Sequence, residues 1–137
     1  MLDLIIKNGE CYIDHKLTKT NIGMQNGKIS VIGDLDSDQS KKTIDASNLI
    51  VLPGCMDTQV HFREPGSTSA EDLHTGSKAA IAGGITSVFE MPNTNPPTAN
   101  MKEFNNKLNL AKNRMYSNYA FYFGATPDNS SDLANLN

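Results

Sequence analysis

Residues 1 to about 52 alternate short apolar runs with tight polar breaks. LDLIIK and ECYI flank Asn8-Gly9, and TNIGMQ and KISVIG flank Asn26-Gly27. Asn-Gly is the pair best suited to the positive φ angles of a two-residue type I′ turn, so both sites are predicted hairpins. DLDSDQSKK, residues 34–42, reads as a loop, and KTIDAS followed by LIVL returns to extended structure. The pattern predicts a small β module over residues 1–52.

After Pro53 strand-like and helix-like segments alternate. GCMDTQVHF reads as a strand, and TSAEDLHTGSKAAIAGG as a helix that starts at Thr68, with Glu71 at capping-box spacing, and ends at Gly83-Gly84. Both glycines are also expected to let the helix pack closely on the strand. ITSVFEM is a second strand, and PNTNPPT, with three prolines in seven residues, is a loop. A second helix is predicted over 99–115, burying Met101, Phe104, Leu108, Ala111 and Met115 on one face. NYAFYFGAT is a third strand, and PDNSSDLANLN begins another turn and helix.

Strands recurring roughly every 30 residues with helices between them are the mark of parallel βα units. Three such strands over residues 53–137 leave an open edge and too little core for a closed barrel, which takes about 250 residues. The chain is therefore read as the N-terminal part of a larger protein or a truncated gene model. A compact three-stranded α/β domain is the alternative.

Composition narrows the function classes. The 12 basic residues are scattered among 15 acidic ones with no basic block, which argues against a nucleic-acid binder. No apolar run approaches the roughly 18 residues of a membrane span, and MLDLIIKNGE lacks the basic-then-apolar pattern of a signal peptide. A cytoplasmic protein is expected. Cys11 and Cys55 lack CxxC spacing and read as two free thiols, Cys55 being buried.

The candidate chemistry lies in DTQVHFREPG, residues 57–66. On a strand, side chains alternate, so Gln59, His61 and Arg63 would share one face at the strand's C-terminal end, where βα barrels carry out their chemistry. Two imidazoles at i and i+2 could chelate one zinc ion, but here only His61 is an imidazole. Blander roles exist for each residue: a core histidine for His61, a hydrogen-bonded interior amide for Gln59, a salt bridge to Glu64 or Glu71 for Arg63, and a turn former for Asn93. His15 is expected in a solvated turn and His74 on the polar face of the first helix.

PGCMDTQVHFREPG followed by EDLHTGSKAAIAGGITSVFEMPNTNPPT resembles the dihydroorotases of the cyclic amidohydrolase superfamily. The resemblance is clearest over residues 50–98 and looser over the N-terminal module, which in these enzymes joins C-terminal strands in a small β-sandwich. It implies an α/β fold: the start of a (β/α)8 TIM-type barrel preceded by part of that sandwich. It further implies a zinc-dependent hydrolase with one or two ions, converting dihydroorotate reversibly to N-carbamoyl-aspartate in pyrimidine biosynthesis. His61 matches the second histidine of the family's strand-one metal pair, while Arg63 and Asn93 match the residues that bind the substrate carboxylate. Asp57, which opens the motif, either assists the metal shell or ends the strand. The remaining metal ligands and the proton-shuttling acid are expected beyond residue 137.

Gln59 departs from the pattern, standing where the first metal histidine is expected. An amide oxygen is a poorer zinc partner than imidazole. Weak or water-mediated coordination, a single-metal site, or loss of catalysis in a scaffold subunit for aspartate carbamoyltransferase all follow as readings. Other cyclic amidohydrolases, allantoinase or hydantoinase, are the enzyme rivals. A homo-oligomer is expected.

Overall fold

The computed structural model describes residues 1–36, 39–134 and 136, so the predicted loop of 34–42 lies partly outside the described residues. The chain forms two compact units, Met1–Pro53 and Gly54–Asn137.

The first unit contains β1 (Leu4–Lys7), β2 (Glu10–Ile13), β3 (Lys16–Lys19), β4 (Asn21–Gln25), β5 (Lys28–Gly33), β6 (Thr43–Asp45) and β7 (Ile50–Val51). They make two sheets, ordered β5-β4-β1-β6 and β3-β2-β7. The Asn26-Gly27 hairpin forms, with φ of 52° and 72° and Gln25 paired to Lys28. The Asn8-Gly9 hairpin does not. Asn8 is left-handed at φ 66°, but β1 pairs with β4 and β6 while β2 pairs with β3 and β7, so the chain changes sheets there. A type I′ turn needs two left-handed residues. The polar groups of Asn8 are used across the module instead, its N–H donating to Asn21 Oδ1 at 3.1 Å and its Nδ2 to Asp45 Oδ1 at 2.9 Å. The β2–β3 hairpin turns on Asp14 and His15, both left-handed, with His15 exposed.

Ile5, Cys11, Ile22 and Ala46 are the buried apolar residues of this unit. The expected burial of Cys55 is not observed. Cys11 occupies the one buried position of β2, whereas Cys55 opens the first strand of the second unit and is exposed.

The second unit is a parallel sheet, β10-β9-β8, of β8 (Cys55–Val60), β9 (Ile85–Glu90) and β10 (Asn118–Phe121). Helices α1 (Leu73–Ala82) and α2 (Met101–Ala111) connect the strands, and α3 (Ser130–Ala134) follows β10. Val60, Phe62, Leu73, Val88 and Ala111 form the buried cluster.

Helix α1 starts later than predicted, because Asp72 rather than Thr68 caps it. The Asp72 carboxylate accepts the Thr75 N–H at 2.7 Å while the Thr75 hydroxyl accepts the Asp72 N–H at 3.3 Å. The exchange holds the Asp72 carboxyl below its ordinary range, the Thr75 amide being the largest cause. At the other end Gly84, at φ 87°, takes the left-handed conformation that stops the helix, whereas Gly83 is ordinary at −87°. Neither makes the close approach expected of it. That role belongs to Gly76, where a Cβ would collide with the Phe62 ring.

Helix α2 is shorter than predicted, capped by Asn100, and its buried residues are Lys107 and Ala111. Met101 and Leu108, assigned to the core by spacing, are exposed. A charged partner in the sheet draws Lys107 inward in their place. No helix among the described residues is long and apolar enough to cross a membrane.

Candidate active site at the ends of β8 and β9

The strand carrying the motif is not regular to its end. Its register against β9 shifts between Asp57 and Val60, so that three steps along β8 match two along β9, from Val88 to Glu90. Asp57 Oδ1 accepts the Gln59 N–H at 3.0 Å within this irregularity. Asp57 does not end the strand, which continues to Val60; its carboxylate instead serves the local backbone.

The strand stops at Val60, and the simple alternation of Gln59, His61 and Arg63 fails for a physical reason. His61 and Arg63 lie in the connection after β8, and Arg63 is left-handed at φ 61°. Such a backbone is sterically disfavoured for arginine, a form of strain that clusters at functional sites. The Arg63 side chain is exposed and has no ion-pair or hydrogen-bond partner among the described residues. The salt bridge to Glu64 or Glu71 is therefore not formed.

Glu64 turns the opposite way and is buried. Arg114 grips it with both guanidinium nitrogens, Nη1 to Oε1 at 2.8 Å and Nη2 to Oε2 at 3.2 Å, and the Leu73 N–H donates to Oε2 at 2.9 Å. The carboxylate in turn holds the Arg114 pKa above its ordinary value. A bidentate ion pair at the start of α1 is a strong anchor, and it fixes the turn that follows Arg63. His74 packs nearby, its Nδ1 3.3 Å from Arg114 O and its ring edge-on to Tyr116, so it is half-buried rather than facing solvent.

The connection after β9 carries Asn93 and meets the connection after β8. His61 Nδ1 lies 2.9 Å from Asn93 Oδ1. An amide oxygen only accepts, so Nδ1 is the donor in this contact, and in a neutral ring that arrangement leaves the Nε2 lone pair open. The Asn93 Nδ2 has no partner among the described residues. Farther along, the Asn95 N–H donates to Pro65 O at 3.0 Å, and a Cβ on Gly66 would approach Asn95 to 2.9 Å.

Beneath these connections lies a pair that the pattern reading missed. Lys107 and Glu90 are fully buried, Nζ 3.1 Å from Oε2, and the ammonium also donates to Met91 O at 3.2 Å and sits 5.3 Å from the Phe121 ring centre. Neither Glu90 carboxylate oxygen makes a well-directed hydrogen bond, so the attraction is chiefly that of charge. Burial pushes the Glu90 pKa up and the Lys107 pKa down, each against the pull of its partner. The available signal was spacing, since Lys107 falls between Phe104 and Ala111 on one helical face.

For a metal, the donor set is incomplete. With Nδ1 held by the outer hydrogen bond to Asn93, a neutral His61 could ligate through Nε2. Gln59 is exposed, and its side-chain amide has no partner among the described residues. Among those residues no group of three or more His, Cys, Asp or Glu side chains comes together as a metal site. The fit is that of one ligand, not of a complete site.

The model of the amidohydrolase family matches residues 50–132. A Methanosarcina acetivorans protein named dihydroorotase is 42% identical over 127 residues, 92% of this chain. A Desulfitobacterium hafniense allantoinase is 38% identical over 135 residues, 98% of this chain. Among solved structures, the L-hydantoinase of Arthrobacter aurescens matches 97% of the chain at 31% identity with a TM-score of 0.87. The chain spans 27% of the length of the first of these and 30% of each of the others. The architecture is thus the start of a (β/α)8 barrel preceded by part of a small β-sandwich.

Proposed function

The chain belongs to the amidohydrolase family, and from that premise we propose that it forms part of a cyclic-amide hydrolase that opens dihydroorotate to N-carbamoyl-aspartate and closes it again. The supporting observation is that the two connections joined by the His61–Asn93 bond present unpartnered donors, the Arg63 guanidinium and Asn93 Nδ2. Both substrate and product carry a carboxylate. A planar guanidinium matches its two oxygens, and the amide adds a further donor. A neutral cyclic amide offers an arginine carbonyl oxygens but no opposite charge, which favours this substrate over those of an allantoinase or hydantoinase.

In this reading Arg63 and Asn93 hold and orient the ring, and His61 offers Nε2 as one ligand to zinc. Zinc, when bound, supplies Lewis acidity to a carbonyl and lowers the pKa of a water. Water adds to the ring amide carbonyl, the C–N bond breaks, and the departing nitrogen takes a proton. Gln59 adds at most a weak oxygen donor. The protein is a cytoplasmic homo-oligomer of pyrimidine biosynthesis in the same reading. Dihydroorotate hydrolysis measured after a chelator, and again after zinc is restored, tests it. Zinc-dependent turnover is expected, and its absence in both the protein and Gln59→His would sink the assignment.

A second reading is favoured by Gln59, which stands where a second imidazole is expected beside His61. In it the protein is a non-catalytic scaffold for aspartate carbamoyltransferase. Co-purification with that enzyme, undiminished by His61→Ala, is its signature.

A further inference from the structure

A lysine with its whole side chain buried stands where leucine or methionine would pack without a desolvation cost. Its position explains why an amine is there. Met91 O lies one residue past the end of β9, and Lys107 Nζ donates to it at 3.2 Å. Glu90, the last residue of β9, supplies the opposite charge at 3.1 Å. The Met91 N–H donates to Val60 O at 3.0 Å, so this one peptide segment is held from the β8 side and from α2 together. Pro92, of fixed φ, comes next, and then Asn93.

We infer that Lys107, paired with Glu90, is a positioning residue: through the Met91 carbonyl it sets the Asn93 amide that fixes the His61 tautomer. The placement stands on the hydrogen bonds themselves. Only its consequence for carboxylate binding rests on the function proposed above.

The test is nitrogen NMR of the imidazole of His61 in chelator-treated protein, at a pH where the ring is neutral. The unaltered protein is expected to show the proton on Nδ1. The variant Glu90→Gln/Lys107→Met, which removes both charges together, is expected to lose that preference while remaining folded, and to bind dihydroorotate about tenfold more weakly, the scale of one hydrogen bond. A folded double variant that keeps both the tautomer and the affinity overturns the inference, as does an Nε2 proton in the unaltered protein. One measurement needs no variant: an ammonium held by Met91 exchanges slowly enough to give a resolved Lys107 signal, and a fast-exchanging one also overturns the inference. Arg63→Ala separates the two levels. Full affinity in that variant sinks the carboxylate reading and leaves the tautomer result untouched.

Discussion

His61 and Asn93 stand 32 positions apart in the chain and 2.9 Å apart in space, ring Nδ1 to amide Oδ1. One side chain thereby serves two directions, since the oxygen of Asn93 is committed to the histidine and its nitrogen remains to donate.

Asn93→Asp keeps the acceptor and deletes the donor. The histidine contact is expected to survive, while a carboxylate facing the substrate carboxylate raises KM for dihydroorotate by roughly 10- to 100-fold, the span of a lost charge-assisted hydrogen bond. Steady-state kinetics beside the His61 nitrogen spectrum check both halves. An unchanged KM would remove Asn93 from the binding surface.

Arg63→Gly separates strain from function. A left-handed backbone costs a non-glycine residue about 1–2 kcal/mol, and glycine's greater freedom in the unfolded chain costs about 0.5–1 kcal/mol. The two partly cancel, so stability should be unchanged or higher by no more than about 1.5 kcal/mol while dihydroorotate binding is lost. Denaturant titration and calorimetry read these separately. A strongly destabilised variant would show that Arg63 is held by contacts other than those described.

Lys107→Met leaves Glu90 as an unpaired buried carboxylate and is expected to cost about 3–5 kcal/mol, whereas adding Glu90→Gln restores most of it. Burial raises the Glu90 pKa, so its contribution to stability is complete below the ordinary carboxyl value and lost as pH rises through the raised one. The Lys107 pKa is lowered, so its contribution is complete above the ordinary amine value and lost as pH falls through the lowered one. Between the raised value and the lowered one both losses hold together. The double variant should therefore compare best with the parent there, as denaturation across the pH range would reveal.

Gly76→Ala sets two effects against each other. Alanine improves helix propensity by about 1 kcal/mol, but its methyl group collides with the Phe62 ring, and overpacking costs about 1–3 kcal/mol. Net destabilisation is expected. A stabilised variant would mean that Phe62 turns aside freely.

The alternation of strands and helices was legible because each segment carried its own period. The hairpin at Asn26-Gly27 was legible in the same way, whereas that at Asn8-Gly9 failed because a left-handed asparagine serves a change of sheet as well as a turn. Periodicity placed Gln59 and His61 near the strand end but not the irregularity at Asp57, which depends on how β8 meets β9. It misassigned Leu108 because the identity of Lys107's partner, Glu90, is a fact about the sheet rather than about the helix. Motif reading picked out Arg63 and Asn93, while the bond from Asn93 to His61 became visible only in three dimensions.

The pair formed by Glu64 and Arg114 spans 50 positions, and this has a consequence in time. At about 5–20 residues per second, a ribosome needs several seconds to make the arginine after the glutamate. Throughout that interval the segment bearing His61 and Arg63 exists without its anchor, its carboxylate hydrated. It takes its final shape only when the second helix has been synthesised and docked, so the segment made first is fixed by a residue made well after it.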